Sequence, residues 1–296
     1  MNLPSAVETY TFQGRSIYVK RDDLLDEDLS GNKYRKLYKL LNTPSQNYKR
    51  IISYGGSQSN AMASIAALCK RKNWKFLYLT KTISTTLKEN LEGNLKFALA
   101  DGMALVEVDQ TKYREAVQSL YMPTSHEEGD LILAQGGADI GAQEGVAQLA
   151  REIEIWQDKE KISKLTVVTP SGTGTTALFL ARYLPHANVI TTPLVGSKGY
   201  LLEQMKALAS TPSNLNIIET EKKFHFAKLY PEFLDLYNSF DAQGIKFDLL
   251  YAPKTFLALQ SVLDTIKGDI LYVHSGGVNG NTTMLKRYEQ KALRKR

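Results

Sequence analysis

The chain reads as a parallel α/β protein, long enough for one large unit or two of ordinary size. Three observations lead there. Short β-rich runs alternate along the chain with segments whose apolar residues recur at helical spacing. Several of these runs are almost unbroken Val, Ile and Leu, as strands covered on both faces must be. Glycines and hydroxyl residues cluster just after three of the runs, where parallel sheets place their ligands.

Taken in order, the strand candidates begin with RIISYG (50–55), KFLYLT (75–80), MALVEV (103–108) and DLILAQ (130–135). LTVVTP (165–170), NVITTPLVG (188–196), NLNIIET (214–220) and DILYVHSGG (269–277) follow. Helical patterns lie between them. In SGNKYRKLYKLL (30–41), Tyr34, Leu37, Leu40 and Leu41 form an apolar stripe. After residue 58, Met62, Ile65, Ala66 and Cys69 form another, so Cys69 reads as a core residue. No fixed-period repeat, low-complexity stretch or long linker interrupts the pattern, so any second unit joins through short loops.

Composition removes several function classes. The 296 residues are 43% hydrophobic and 23% charged, which fits a globular protein. No run approaches the ~18 apolar residues of a membrane helix. Residues 1–16 lack the basic-then-apolar pattern of a secretion signal. One cysteine allows no intrachain disulfide and no cysteine metal cluster, and a cytoplasmic location is expected. The four histidines, at 126, 186, 225 and 274, show no metal-ligand spacing, so no metal is expected. The net charge is +6, but Lys and Arg are spread along the chain. The short clusters CKRKNWK and KRYEQKALRKR have no interleaved aromatics, so neither nucleic acid nor membrane is an expected partner.

The chemistry concentrates in the loops. SYGGSQSNAMASIA (53–66) and TPSGTGTTALFLAR (169–182) each leave a strand and open a helix; VHSGGVNGNTT (273–283) follows the last strand. Such turns bring backbone N–H groups to an anion, most often phosphate. The hydroxyls of Ser171, Thr173, Thr175 and Thr176 would add donors. The P-loop Gly-Lys-Ser/Thr is absent. GTGTTA (172–177) matches a dinucleotide fingerprint, but the strand after it carries no acid for a ribose. Lys33 stands at a helix start, where the helix dipole disfavours a cation. Alone it would be a solvated lysine. Beside a phosphate loop with no lysine of its own, it points to an amine kept for an aldehyde cofactor, pyridoxal 5′-phosphate (PLP).

Five motifs in order carry a family resemblance: VKRDDLLDEDLSGNKYRKL (19–37), GGSQSNAMASIAALCKR, LAQGGADIGAQEGVAQLAREI, SGTGTTAL and YVHSGG. Together they resemble the 1-aminocyclopropane-1-carboxylate (ACC) deaminase / D-cysteine desulfhydrase family, PLP enzymes of the tryptophan synthase β-like fold (fold type II). The resemblance implies that Lys33 carries the cofactor imine and that Asn60 hydrogen-bonds the ring hydroxyl. Ser59 would serve the substrate carboxylate or proton transfer. Ser171, Gly172, Thr173, Gly174 and Thr175 would bind the phosphate, and Ser275 would face the ring nitrogen. Tyr251 matches the tyrosine of the family's Asp-Pro-x-Tyr, near the substrate. Read alone, Ser59 or Asn60 would be a helix cap, Tyr251 half-buried packing and His274 structural.

Two departures bear on activity. ACC deaminases have glutamate after the tyrosine, where this chain has Ala252. With neutral Ser275 at the nitrogen, α-proton removal and β-elimination are favoured over opening a cyclopropane. Family members also have tyrosine where Phe226 aligns, leaving Tyr230 or His225 to replace its hydroxyl. The expected activity is β-elimination from a small amino acid, D-cysteine before ACC, giving keto acid, ammonia and sulfide. The alternatives are a serine/threonine dehydratase- or sulfhydrylase-like enzyme on an L-amino acid, and a catalytically degenerate PLP- or phosphate-ligand-binding protein. The expected organisation is a large unit, 1–36 with 145–296, a small inserted unit, 37–144, and a homodimer.

Overall fold

The structure, a computed structural model, describes residues 3–29, 31–125 and 127–293. Ser30 and His126 therefore lie outside the described residues, as does the end of the basic tail.

The chain opens with β1 (Val7–Phe12) and β2 (Arg15–Lys20), an antiparallel hairpin closed by Gln13 and Gly14, both at positive φ. The sequence reading passed over this pair. Its signals are two alternating segments separated by a two-residue turn containing glycine. Helix α1 (Asn32–Asn42) follows and leads to β3 (Arg50–Tyr54), α2 (Asn60–Lys72) and β4 (Lys75–Lys81). Short helices α3 (Thr85–Glu89) and α4 (Gly93–Ala100) precede β5 (Met103–Val108). Then come α5 (Tyr113–Ser119), β6 (Asp130–Leu133) and α6 (Ala142–Lys159). The rest is β7 (Leu165–Ser171), α7 (Thr175–Tyr183), β8 (Asn188–Pro193), α8 (Lys198–Lys206), β9 (Leu215–Ile217), α9 (Pro231–Asp241), α10 (Ala252–Val262), β10 (Asp269–Val273) and α11 (Asn281–Leu293).

Two sheets result. One has the order β1-β2-β10-β7-β8-β9 and is parallel except at β1; the other, β5-β4-β3-β6, is wholly parallel. All eight strand candidates form strands. The last stops at Val273 because Gly276 and Gly277 take positive φ and turn the chain. The larger sheet is covered by α6 and α7 on one face, with Val146, Leu149, Phe179 and Leu180 inward. Phe240, Phe247 and Phe256 cover the other. On the smaller sheet, Leu37 and Leu40 of α1 join Met62, Ile65 and Cys69 of α2. Cys69 is a buried core thiol, and burial pushes its pKa up to about 12. Among the described residues no helix is long and apolar enough to cross a membrane. The expected boundaries at 36/37 and 144/145 fall inside α1 and α6, which run unbroken across them.

Candidate active site

Three turns at the carboxyl ends of β3, β7 and β10 meet the start of α1. Gly31 precedes α1 at φ +40°, and a Cβ there would lie 2.4 Å from the Ser275 backbone. Only glycine lets the two chains touch. The Asn32 N–H donates to the Ser275 carbonyl at 3.1 Å. A Cβ on Gly277 would sit 2.6 Å from Asn60 Nδ2, so Lys33, Asn60 and Ser275 share one neighbourhood.

Lys33 Nζ donates to Asn32 Oδ1 at 2.7 Å. Burial pushes its pKa down to about 8, although the nearby Asp248 carboxylate acts the other way. Desolvation disfavours the ammonium form, so a substantial fraction of the amine is neutral near physiological pH. That is the state a carbonyl-attacking lysine needs.

Lys36, one helical turn further on, was missed by the sequence reading. It is buried, and its Nζ reaches the Gly136 carbonyl at 3.1 Å and Thr173 Oγ1 at 3.2 Å. Burial, and then the charge of Lys33, hold its pKa well below the ordinary lysine value. The i, i+3 spacing from Lys33 is the signal that puts both amines on one helix face.

The 171–176 turn is open at its helix. The residue before α7 is Gly174, at φ +77°, and it offers the helix no capping side chain. Thr173 Oγ1 lies 3.0 Å from Thr175 Oγ1, and the buried Thr176 Oγ1 finds no partner among the described residues. A buried hydroxyl without a partner and an uncapped helix start both need an acceptor. With Lys36 as countercharge, the donor set fits a phosphate. Ser171 differs from expectation. Its Oγ is 2.6 Å from Thr191 Oγ1, which itself donates to the Thr169 carbonyl, so the Ser171 proton is spent inside the sheet layer.

The 54–60 turn is finished by its own side chains. Ser59, not Asn60, caps α2, its Oγ accepting from Met62 N–H at 3.3 Å. The buried Tyr78 hydroxyl donates to the Gly56 carbonyl at 3.1 Å. Asn94 Nδ2 donates to Asn60 Oδ1 at 2.6 Å and so turns the Asn60 amino group outward as a donor. Asn94 carries no motif and could not have been read from the sequence.

Tyr251 precedes α10. The Asp248 carboxylate fixes its turn, accepting the N–H groups of Leu250 (2.9 Å), Tyr251 (2.5 Å) and Ala252 (3.3 Å). Burial outweighs these bonds and pushes Asp248 up to about 6. Burial also raises Tyr251, so its phenol stays protonated. The Tyr251 ring lies 3.7 Å from a Cβ built on Gly172, and Phe226 packs edge-on against it at 5.6 Å. Of the two suggested replacements, only Tyr230 carries a hydroxyl. Its Oη accepts from His225 N–H at 2.9 Å. His274 is structural in geometry: Nδ1 accepts from Gly276 N–H and Nε2 faces the Lys246 carbonyl, so both ring nitrogens hold the turn that carries Ser275. Among the described residues no acidic, cysteine and histidine group is arranged for a metal ion.

Two parallel-sheet units that bring a lysine of lowered pKa to an uncapped hydroxyl turn define the class: the fold is the tryptophan synthase β-like fold, fold type II of the PLP enzymes. No family model matches the chain. The individual relatives are informative. The chain is 26% identical over 289 residues to a Thermotoga maritima protein assigned as a 1-aminocyclopropane-1-carboxylate deaminase, covering 90% of each. It is 24% identical to the mitochondrial bifunctional D-cysteine desulfhydrase/ACC deaminase of Arabidopsis thaliana (94% of this chain, 77% of that protein). It is also 24% identical to the D-cysteine desulfhydrase of Serratia proteamaculans (90% and 88%). Among solved structures, an ACC deaminase homologue superposes with a TM-score of 0.72 at 20% identity (92% and 89% covered). A hydrogen sulfide-producing enzyme from Fusobacterium nucleatum gives 0.66 at 15% (93% and 95%). The family resemblance read from the motifs is therefore borne out: the chain is similar to ACC deaminases and D-cysteine desulfhydrases over about nine-tenths of its length.

Proposed function

We propose that the protein is a PLP-dependent lyase that removes the β-substituent of a small amino acid, D-cysteine before ACC. The observation that carries this is the placing of Lys33, an amine whose pKa burial lowers to about 8, on the helix face it shares with Lys36 and the open 171–176 turn. The curated relatives named D-cysteine desulfhydrase and ACC deaminase support it.

When bound, PLP supplies an aldehyde for the amine and an electron sink for charge at the substrate α-carbon. The chain supplies the rest. Lys33 Nζ would hold the cofactor aldehyde and, as a free amine, would take the proton from the substrate α-carbon. Gly172, Thr173, Gly174 and Thr175 would hold the phosphate, with Thr176 and Lys36 added and Ser171 setting the course of the loop. Asn60 donates to the ring hydroxyl. Ser275 would meet the ring nitrogen as a neutral group, which would leave the sink weaker and suit substrates whose leaving group helps. Ser59 and the start of α2 would orient the substrate carboxylate, and Tyr251 would lie beside the substrate. With D-cysteine and water the products balance as pyruvate, ammonia and hydrogen sulfide.

The same proposal divides the chain into 1–36 with 145–296 and 37–144, with α1 and α6 shared across the boundary and the substrate between the two units. A homodimer belongs to it, and so does a cytoplasmic location, which the single cysteine supports. The test is keto-acid and sulfide release from D-cysteine, L-cysteine, L-serine and ACC by PLP-loaded protein. D-cysteine should turn over fastest. Preference for an L-amino acid contradicts the stereochemical assignment. No turnover of any substrate, with PLP bound, contradicts the enzyme reading and leaves a degenerate binder.

A further inference from the structure

Helix α1 presents three faces with different chemistry. Lys33 and Lys36 face the site. Tyr34, Leu37 and Leu40 are buried in the apolar core shared with α2. Arg35 points elsewhere, into a group of charges shut away from water. The Arg35 and Asp22 side chains are 0% exposed, and the Glu152 side chain is 9% exposed.

We propose that this group, Arg35, Asp22, Glu152 and Lys20, is the positioning device for Lys33. The proposal rests on the reading of Lys33 as the imine lysine. Each end of the Arg35 fork holds a carboxylate. Nε and Nη2 donate to Asp22 at 2.9 and 2.8 Å; Nη1 and Nη2 donate to Glu152 at 2.7 and 2.8 Å. Lys20 Nζ donates to Glu152 at 2.7 Å and to the Ser5 carbonyl at 2.6 Å. Ser5 closes the ring, its hydroxyl donating to Asp22 at 2.6 Å. Two positive and two negative groups balance. They come from β2, the turn after it, α1 and α6. Seven residues before Glu152, α1 rests directly on α6: a Cβ on Gly145 would lie 2.0 Å from the Arg35 carbonyl oxygen.

Stability alone does not account for such a group, because a buried ion network is often no more stable than apolar side chains of the same volume. Geometry does. An apolar stripe tolerates small rotations of a helix, whereas a planar guanidinium bonded at both ends fixes rotation and rise together. A lysine nitrogen stands roughly 8 Å from its helix axis, so a 10° rotation would move it by roughly 1.4 Å. Misplacement on that scale costs about 100-fold in rate.

Two variants of the full-length protein test this. Arg35→Lys keeps the charge and removes the fork. The quadruple variant Lys20→Met, Asp22→Leu, Arg35→Met, Glu152→Leu replaces the network with apolar volume. For each, kcat and KM are measured on the PLP-loaded enzyme, thermal unfolding is recorded, and the cofactor-free protein is labelled with acetic anhydride across pH, with Lys33 read by mass spectrometry. We expect kcat to fall about 10–100-fold with KM within about 3-fold. The Lys33 labelling midpoint should leave about 8 for the ordinary lysine range. An unchanged kcat and labelling midpoint in folded Arg35→Lys, whatever happens to its melting temperature, overturns the proposal. That variant decides the matter if the quadruple one does not fold. A Lys33→Ala control separates the two claims. An imine absorbance that survives it sinks the lysine assignment, whereas its loss there beside an indifferent Arg35→Lys sinks only the positioning role.

Discussion

The turns at 54–60 and 171–176 look alike in sequence, each rich in glycine and hydroxyl side chains between a parallel strand and a helix. The structure completes them differently. At the first, Ser59 caps α2, Tyr78 ties down the Gly56 carbonyl and Asn94 orients Asn60. At the second, Gly174 caps nothing, Thr176 Oγ1 is left without a partner among the described residues and Lys36 brings in a buried amine. A turn that satisfies its own donors holds side chains in place; a turn that leaves them unsatisfied awaits an anion. The first is thus suited to present Ser59 and Asn60, the second to take a phosphate.

Substitutions can break this contrast. The largest effect is expected from Lys33→Ala, which serves neither turn and should abolish the imine absorbance near ~410–430 nm and lower turnover at least ~1000-fold. Next, Lys36→Met removes the countercharge of the open turn. PLP affinity should fall about 10–100-fold by spectral titration, consistent with a lost charge-assisted bond of ~1.5–3 kcal/mol. Thr176→Val should weaken PLP by roughly 5-fold, near ~1 kcal/mol. Ser59→Ala should do the opposite: KM for the amino acid rises and the fold loses about 1 kcal/mol from the cap, while PLP affinity stays put. If Ser59→Ala weakens PLP as much as Thr176→Val, the contrast between the turns is wrong.

Two pH effects sharpen the account. The Lys33 pKa is depressed to about 8, so the neutral amine grows as pH rises through that value. The rate at which cofactor-free protein takes up PLP should climb from pH 7 to 9 and then level off. Burial depresses the His274 pKa below its ordinary value. The unfolded chain therefore binds the proton more readily. The contribution of His274 is fully present above about pH 6.5 and is lost as pH falls towards the folded pKa, with a slope of at most about 1.4 kcal/mol per pH unit. His274→Gln should flatten that part of a denaturation series; an unchanged slope would place the acid sensitivity elsewhere.

Much of this was legible in the sequence, because apolar runs and glycine turns are local signals. Eight strands, the two apolar helix stripes, the core thiol and the candidate lysine were all read from residues close in the chain. The β1–β2 hairpin was legible and passed over. What could not be read depends on residues far apart. Asn94 matters only because α4 lies beside Asn60, and Glu152 only because α6 lies beside Arg35. The Ser171 hydroxyl shows the same limit from the other side: its sequence context suggests a ligand donor, but it donates instead to Thr191 Oγ1 on the neighbouring strand.

The central claim is that Lys33 is the amine that holds the cofactor. Borohydride reduction of the PLP-loaded protein, followed by proteolysis and mass spectrometry, tests it most directly. The account expects a single pyridoxyl group on Lys33. A group on Lys36 or any other lysine, or none at all, would contradict it.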